Sequence, residues 1–102
     1  MHNRKHKRVL VDWLTECSNT LSVGHPVKQS FVGKIKDITP FGAFFCPTAG
    51  FINGVPLSHK RFNRMFVGNE LVLVASGKLK VKGKVVWKGS KGDCDGVGIQ
   101  FI

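Results

Sequence analysis

The chain has 102 residues and a formal net charge of +10, from 16 Lys and Arg against 6 Asp and Glu. A chain of this length can fold as one domain, but it is too short for most multi-domain enzymes. No apolar run reaches the roughly 18 residues of a membrane span, and the apolar stretch after the basic start is broken at Asp12, which argues against a secretory signal. We therefore expect a cytoplasmic domain that binds an anion.

The N-terminal residues 1–8 predict a mobile basic arm. They include Arg4, Lys5, Lys7 and Arg8, together with two histidines, His2 and His6. Like charges repel each other, and no apolar side chain in this segment anchors it.

The sequence of residues 9–102 predicts mainly strands and turns. Thirteen Val and eight Phe against two Glu favour strands over helices, and twelve Gly indicate many turns. Period-two alternation or a continuous apolar run predicts strands at residues 9–14, 31–36, 71–75, 79–88 and 97–101. The run at 71–75 is read as a central strand, and residues 89–96 as the loop before the last strand.

One strand has a particularly clear pattern. Leu79, Val81, Val85 and Trp87 share one face, which we assign to the core, while lysines at 80, 82, 84 and 88 occupy the other. These lysines form either the solvated face of the strand, which we favour, or a surface that contacts polynucleotide phosphates. A short helix is expected after Ser58. The sequence thus predicts a single all-β domain, a small six-stranded antiparallel barrel with a flexible basic arm and at most one short helix.

Catalysis and metal binding have little support in the sequence. The four histidines are scattered, and the segment 93–96 lacks the further ligands of a calcium loop. Cys17, Cys46 and Cys94 are odd in number and have no CxxC spacing, so we expect reduced thiols and no zinc site. We predict no enzyme activity, no cofactor and no metal.

Two segments suggest a guanine and phosphate site. Arg4 and Arg8 supply guanidinium groups that match guanine O6 and N7 or clamp phosphate. Asp37 can accept hydrogen bonds from guanine N1–H and the exocyclic amino group, Thr39 can add a hydroxyl, and Gly42 allows close backbone approach. The plainer alternative is a solubilising tail and an ordinary turn.

These motifs resemble the PilZ family, the bacterial receptor domains for cyclic di-GMP. Arg4 and Arg8 are similar to the family's RxxxR pattern, and Asp37, Thr39 and Gly42 to its (D/N)xSxxG pattern, with Thr in place of Ser. The segments 83–87 and 98–101 are similar to the family's last two strands. The segment 47–66 looks longer than the family's usual connection.

The resemblance implies a cyclic di-GMP receptor whose arm orders over the ligand and signals to a downstream protein. It implies that Arg4 and Arg8 bind guanine and phosphate, and that Asp37 and Thr39 form hydrogen bonds to a guanine edge. Gly42 would be the close-approach position, and Lys5 and Trp87 are weaker candidates.

Two alternatives remain. Residues 32–74 also resemble the OB-fold RNA-binding repeat of a ribosomal protein, which stacks single-stranded RNA on aromatic side chains. That reading leaves the basic arm and the last two strands unexplained. The other alternative is a PilZ-like barrel that has lost its ligand and acts only through protein interactions.

Overall fold

The computed structural model describes residues 8–23, 25–58 and 67–102. Within these ranges the chain forms strands and turns, with no helix. Seven strands follow one another: β1 (Val9–Val23), β2 (His25–Thr39), β3 (Gly42–Ile52), β4 (Val55–Pro56), β5 (Glu70–Ala75), β6 (Leu79–Lys91) and β7 (Cys94–Phe101). Arm residues 1–7 and the helix predicted after Ser58 lie outside the described residues.

Six of the strands close into a ring. The order is β2-β1-β5-β6-β7-β3, a further pairing of β2 with β3 completes it, and the short β4 extends β3. Every pairing is antiparallel. The prediction of an all-β, six-stranded, antiparallel closed fold is confirmed. Closure leaves none of the six long strands as a free edge along its whole length.

The core lies inside the ring and follows the predicted alternation. In β6, Gly83 and Val85 are buried while Lys80, Lys82 and Lys84 are exposed. The same alternation turns Phe31 and Ile35 of β2 inward. The core cluster consists of Cys17, Phe31, Ile35, Ala43, Phe45, Leu71, Leu73, Val85, Val97 and Ile99. One wet face and one dry face on each strand produce this single core.

The prediction of a central strand at 71–75 is confirmed, since β5 pairs with β1 on one side and with β6 on the other. Only its alternate residues are buried, and Val74 is 38% exposed. The loop predicted at 89–96 is much shorter than expected, because β6 continues to Lys91 and β7 begins at Cys94. Gly92 has a φ of 59° in the two-residue turn between them. Glycine enters that left-handed region without steric cost, so a tight hairpin forms there.

The expectation of three reduced thiols is wrong for one pair. Cys46 and Cys94 form a disulfide, with their Cα atoms 6.0 Å apart and a sequence separation of 48. Ring closure brings β3 beside β7, so spacing along the chain gave no sign of this pair. Cys17 is a free thiol in the core, where burial raises its pKa.

The described residues contain no helix that is long and apolar enough to span a membrane. In the same part of the chain, no three His, Cys, Asp or Glu side chains are grouped in a way that would hold a metal ion.

Candidate functional site

A groove of about 340 Å³ lies where the β2–β3 turn meets strands β6 and β7. Basic, acidic and aromatic side chains lie together at its surface. Its lining residues are Arg8, Asp37, Thr39, Phe41, Gly42, Ala43, Phe44, Val86, Trp87, Lys91, Gly98, Ile99 and Gln100. Pockets that bind small molecules begin at about this volume.

Asp37 is the acidic centre of the groove. It lies near the end of β2, opposite Phe44 of β3 and just past a shift in the β2–β3 register, and its side chain is only 10% exposed. The Lys91 ammonium donates a hydrogen bond of 2.9 Å to Asp37 Oδ2, and Arg8 Nε lies 3.8 Å from Oδ1. Two cations therefore compensate a carboxylate that would otherwise be costly to bury.

Two aromatic rings form the floor of the groove beside this charged cluster. The Phe44 and Trp87 rings stack with centroids 5.4 Å apart and planes inclined by 24°. The Lys91 ammonium lies 5.1 Å from the Phe44 centroid and 5.9 Å from that of Trp87, within range of cation–π attraction. A stacked pair with one exposed ring offers a planar apolar surface to a ligand.

Trp87 belongs to this site because of an irregularity in the sheet. The β6–β7 register shifts between Val85 and Trp87, so Trp87 leaves the core face that period-two alternation assigns to it. Its side chain is 41% exposed, and the prediction of a core position is wrong. Gly98 of β7 leaves the space that the indole occupies, since a Cβ there would overlap three indole atoms.

Thr39 and Gly42 shape the β2–β3 turn. The Thr39 hydroxyl accepts hydrogen bonds from the Phe41 and Gly42 amides, both at 3.1 Å, and its own contact to the Gly42 carbonyl is 3.5 Å long. A Cβ on Gly42 would overlap the Ile99 carbonyl of β7. The close backbone approach expected at Gly42 is thus an approach of β3 to β7. The Thr39 hydroxyl already stabilises the turn, so any ligand contact would share this hydroxyl with the two turn amides.

The structure brings five predicted residues to one groove: Arg8, Asp37, Thr39, Gly42 and Trp87. The other two, Arg4 and Lys5, lie outside the described residues.

Sequence reasoning did not assign the other eight lining residues to the site: Phe41, Ala43, Phe44, Val86, Lys91, Gly98, Ile99 and Gln100. Two of them carried a signal in the sequence. Lys91 is the last residue of the C-terminal basic cluster, and Phe41 directly precedes Gly42 in the motif formed by Asp37, Thr39 and Gly42.

A second groove, of about 700 Å³, lies on the other side of the same charged pair. Asp37, Phe44 and Lys91 line both grooves, so the ion pair and the Phe44 ring form the wall between them. The Cys46–Cys94 disulfide lines the second groove. A shift of the Lys91 side chain would therefore change both grooves at once.

The described lining residues of the first groove include one carboxylate and no His, Cys or Ser side chain. A stacking surface, two cations and one acceptor carboxylate fit a planar ring that carries hydrogen-bond donors and a nearby anionic group. No protein-family model matches the chain, and no curated protein matches it in sequence.

Proposed function

We propose that this chain is a cytoplasmic, non-enzymatic receptor for cyclic di-GMP of the PilZ type. One observation carries the proposal: Arg8, Asp37, Thr39, Gly42 and Trp87 line a single groove. They come from both ends of the β1–β2 hairpin, the start of β3 and the middle of β6. The resemblance to PilZ domains rested on motif residues far apart in sequence, and their convergence is what a binding site requires.

The guanine base would stack on the aromatic floor and present its edge to Asp37. Guanine N1–H and the exocyclic amino group are two neighbouring donors, and a carboxylate offers two matching acceptor oxygens. In the structure those oxygens face Lys91 and Arg8. Binding would therefore exchange partners: Asp37 would pair to the base, Arg8 would pair to a phosphate oxygen, and Lys91 would be displaced from the carboxylate.

Arg8 is placed to join the arm to the ligand. It directly precedes β1, and its half-exposed side chain lies at the groove. In this proposal Arg4, and more weakly Lys5, add phosphate or guanine contacts when the arm closes. The ordered arm and the bound nucleotide then form a surface for a downstream protein partner. Ordering the arm costs roughly 1–2 kcal/mol per residue, so several charge-assisted bonds are required to drive it.

A second candidate is single-stranded RNA binding. Phe41 and Trp87 are 61% and 41% exposed, and the outer face of β6 carries Lys80, Lys82 and Lys84. Exposed rings beside a basic face suit base stacking and phosphate contact. This candidate assigns no role to the buried carboxylate of Asp37.

Isothermal titration calorimetry tests the two candidates together. The protein is titrated with cyclic di-GMP, with GTP and with a short single-stranded RNA. We expect saturable binding of cyclic di-GMP that Arg8→Ala weakens by about 10-fold or more, as the loss of a bidentate arginine–guanine pair would. Lys84→Ala removes the same charge from the outer face of β6 and is the matched control, with little expected effect.

Two results would overturn the proposal. Tight RNA binding without cyclic di-GMP binding would favour the second candidate. Equal losses for Arg8→Ala and Lys84→Ala would mean that the nucleotide responds only to net charge.

A further inference from the structure

The disulfide lies just beyond the end of a strand ladder. β3 pairs with β7 from Gly42 opposite Gln100 to Phe45 opposite Val97, and the pairing ends there. Cys46 is the next residue of β3, and Cys94 is the first residue of β7. The disulfide therefore links the tip of the β6–β7 hairpin to β3 just beyond the last backbone pairing of β3 with β7.

The same hairpin tip carries the cation that occupies Asp37. Lys91 and Cys94 are directly opposed in the β6–β7 register, on either side of the two-residue turn. The Lys91 ammonium lies 2.9 Å from Asp37 Oδ2 and 5.1 Å from the Phe44 centroid. Asp37 and Phe44 are themselves opposed between β2 and β3. The covalent tie and the ion pair thus fix the same four-residue tip to the same part of the ring.

We propose that Cys46 and Cys94 form a reversible thiol–disulfide site that controls the nucleotide groove through Lys91. This inference rests on the proposed function for its effect on ligand affinity, but not for its effect on the hairpin. With the disulfide formed, the tip holds Lys91 on one of the two Asp37 oxygens that a guanine edge needs. With the disulfide reduced, the tip is released and Asp37 can accept both guanine donors.

The redox step is thiol–disulfide exchange with a dithiol reductant. A thiolate of the reductant attacks one cysteine sulfur, the Cys46–Cys94 bond breaks, and a mixed disulfide forms. The second thiol of the reductant then attacks the reductant sulfur of the mixed disulfide, which breaks the bond to the protein. The protein cysteine leaves as a thiolate and takes up a proton, and the oxidised reductant is a cyclic disulfide. Two electrons and two protons pass from the dithiol to the protein, which then holds two thiols. Both cysteines are half-buried, so they are within reach of a small reductant.

Cys17 provides an internal reference for this chemistry. It is fully buried in the core, and burial raises the pKa of its thiol, which keeps it in the unreactive protonated form. A brief treatment of the folded protein with an alkylating agent should label no cysteine before reduction. After reduction it should label Cys46 and Cys94 but not Cys17.

The first experiment needs no nucleotide. Amide hydrogen exchange of the full chain is measured with and without dithiothreitol. We expect several-fold faster exchange in residues 89–96 on reduction and no change in residues 29–35, which lie in the ladders between β2 and its neighbours. The Cys46→Ser/Cys94→Ser variant should match the reduced protein. Unchanged exchange in the hairpin on reduction would overturn the inference whatever the chain binds.

The second experiment measures cyclic di-GMP affinity in both redox states. We expect reduction to tighten binding by about threefold to tenfold, as removal of one competing ion pair would. Lys91→Met should bind tightly in both states, because the competing cation is absent. Lys84→Met, the matched control on the outer face of the same strand, should retain the redox effect.

The outcomes separate the two proposals. A hairpin that loosens in a protein that binds no cyclic di-GMP would defeat the proposed function and leave the redox control of the hairpin standing. Equal affinity in the two redox states, or a redox effect of the same size in Lys91→Met, would overturn the control of the groove through Lys91.

Discussion

Replacing Gly98 with Ala should displace the Trp87 side chain in the groove and leave the ring of strands intact. The added Cβ would overlap Nε1, Cε2 and Cδ1 of the Trp87 indole. All three atoms belong to one side chain that is 41% exposed, so the indole can rotate away without moving the β7 backbone. We expect the ring of strands to persist while Trp87 leaves its stack on Phe44.

The cost can be worked from the contacts that are lost. The stack with Phe44 is worth about 0.5–1.5 kcal/mol beyond area burial. Exposing the remaining covered indole surface costs about 2–3 kcal/mol at roughly 25 cal/mol per Å², less whatever the ring buries elsewhere. Together these terms set an upper limit of about 2.5–4.5 kcal/mol. Because the displaced ring recovers part of this burial elsewhere, we expect the free energy of unfolding to fall by about 1–3 kcal/mol, in the range of other overpacked sites.

Urea unfolding followed by circular dichroism gives the stability, and tryptophan fluorescence reports the position of Trp87. The Trp87→Ala background is the decisive control. Once the indole is absent, Gly98→Ala should lower the free energy of unfolding much less than it does in the wild-type chain, because the overlap has been removed. An equal cost in both backgrounds would refute the reasoning, since the strain would then lie in the β7 backbone.

Three further predictions concern the turn, a surface cluster and the core. Thr39→Ala should lower the free energy of unfolding by about 1 kcal/mol and Thr39→Ser by only a few tenths, since serine keeps the hydroxyl that accepts the two turn amides; equal losses in urea melts would refute this. Lys36 and Lys34 lower the pKa of Asp12, so their ion pairs stabilise the fold at neutral pH and this contribution is lost as the pH falls through the pKa of Asp12 in the folded chain. Asp12→Asn should therefore flatten the acid side of the curve of stability against pH, and an unchanged curve would contradict the assignment. Leu73→Ala should lower the free energy of unfolding by about 2–5 kcal/mol, because Leu73 is fully buried, and Leu14→Ala by less than about 0.5 kcal/mol, because Leu14 is 70% exposed. Similar losses for the two variants in thermal melts would contradict the core assignment.

The sequence predicted those parts of the fold that depend on local pattern. Alternation along β6 predicted which residues face the core up to Val85, because side chains on a strand point to opposite faces in turn. The same rule failed at Trp87, where the register with β7 shifts. A bulge depends on how two strands pair, and the sequence of one strand does not contain that information.

The candidate site divides in the same way. Asp37, Thr39 and Gly42 were predicted because they lie together in one short motif. Lys91 was not assigned to the site, although it donates a hydrogen bond to Asp37, because their sequence separation is 54 and only ring closure brings them together. Cys46 and Cys94 escaped prediction for the same reason, since pairing across a closed ring is a property of the topology.

The most direct test of the proposed function is a site-resolved nuclear magnetic resonance titration of the ¹⁵N-labelled chain with cyclic di-GMP. The proposal predicts that the largest shifts fall on the Trp87 indole N–H and on the amides of Asp37 and Gly42, with small shifts on the outer β6 lysines. Large shifts confined to Lys80, Lys82 and Lys84, or no saturable shift in the groove, would contradict it.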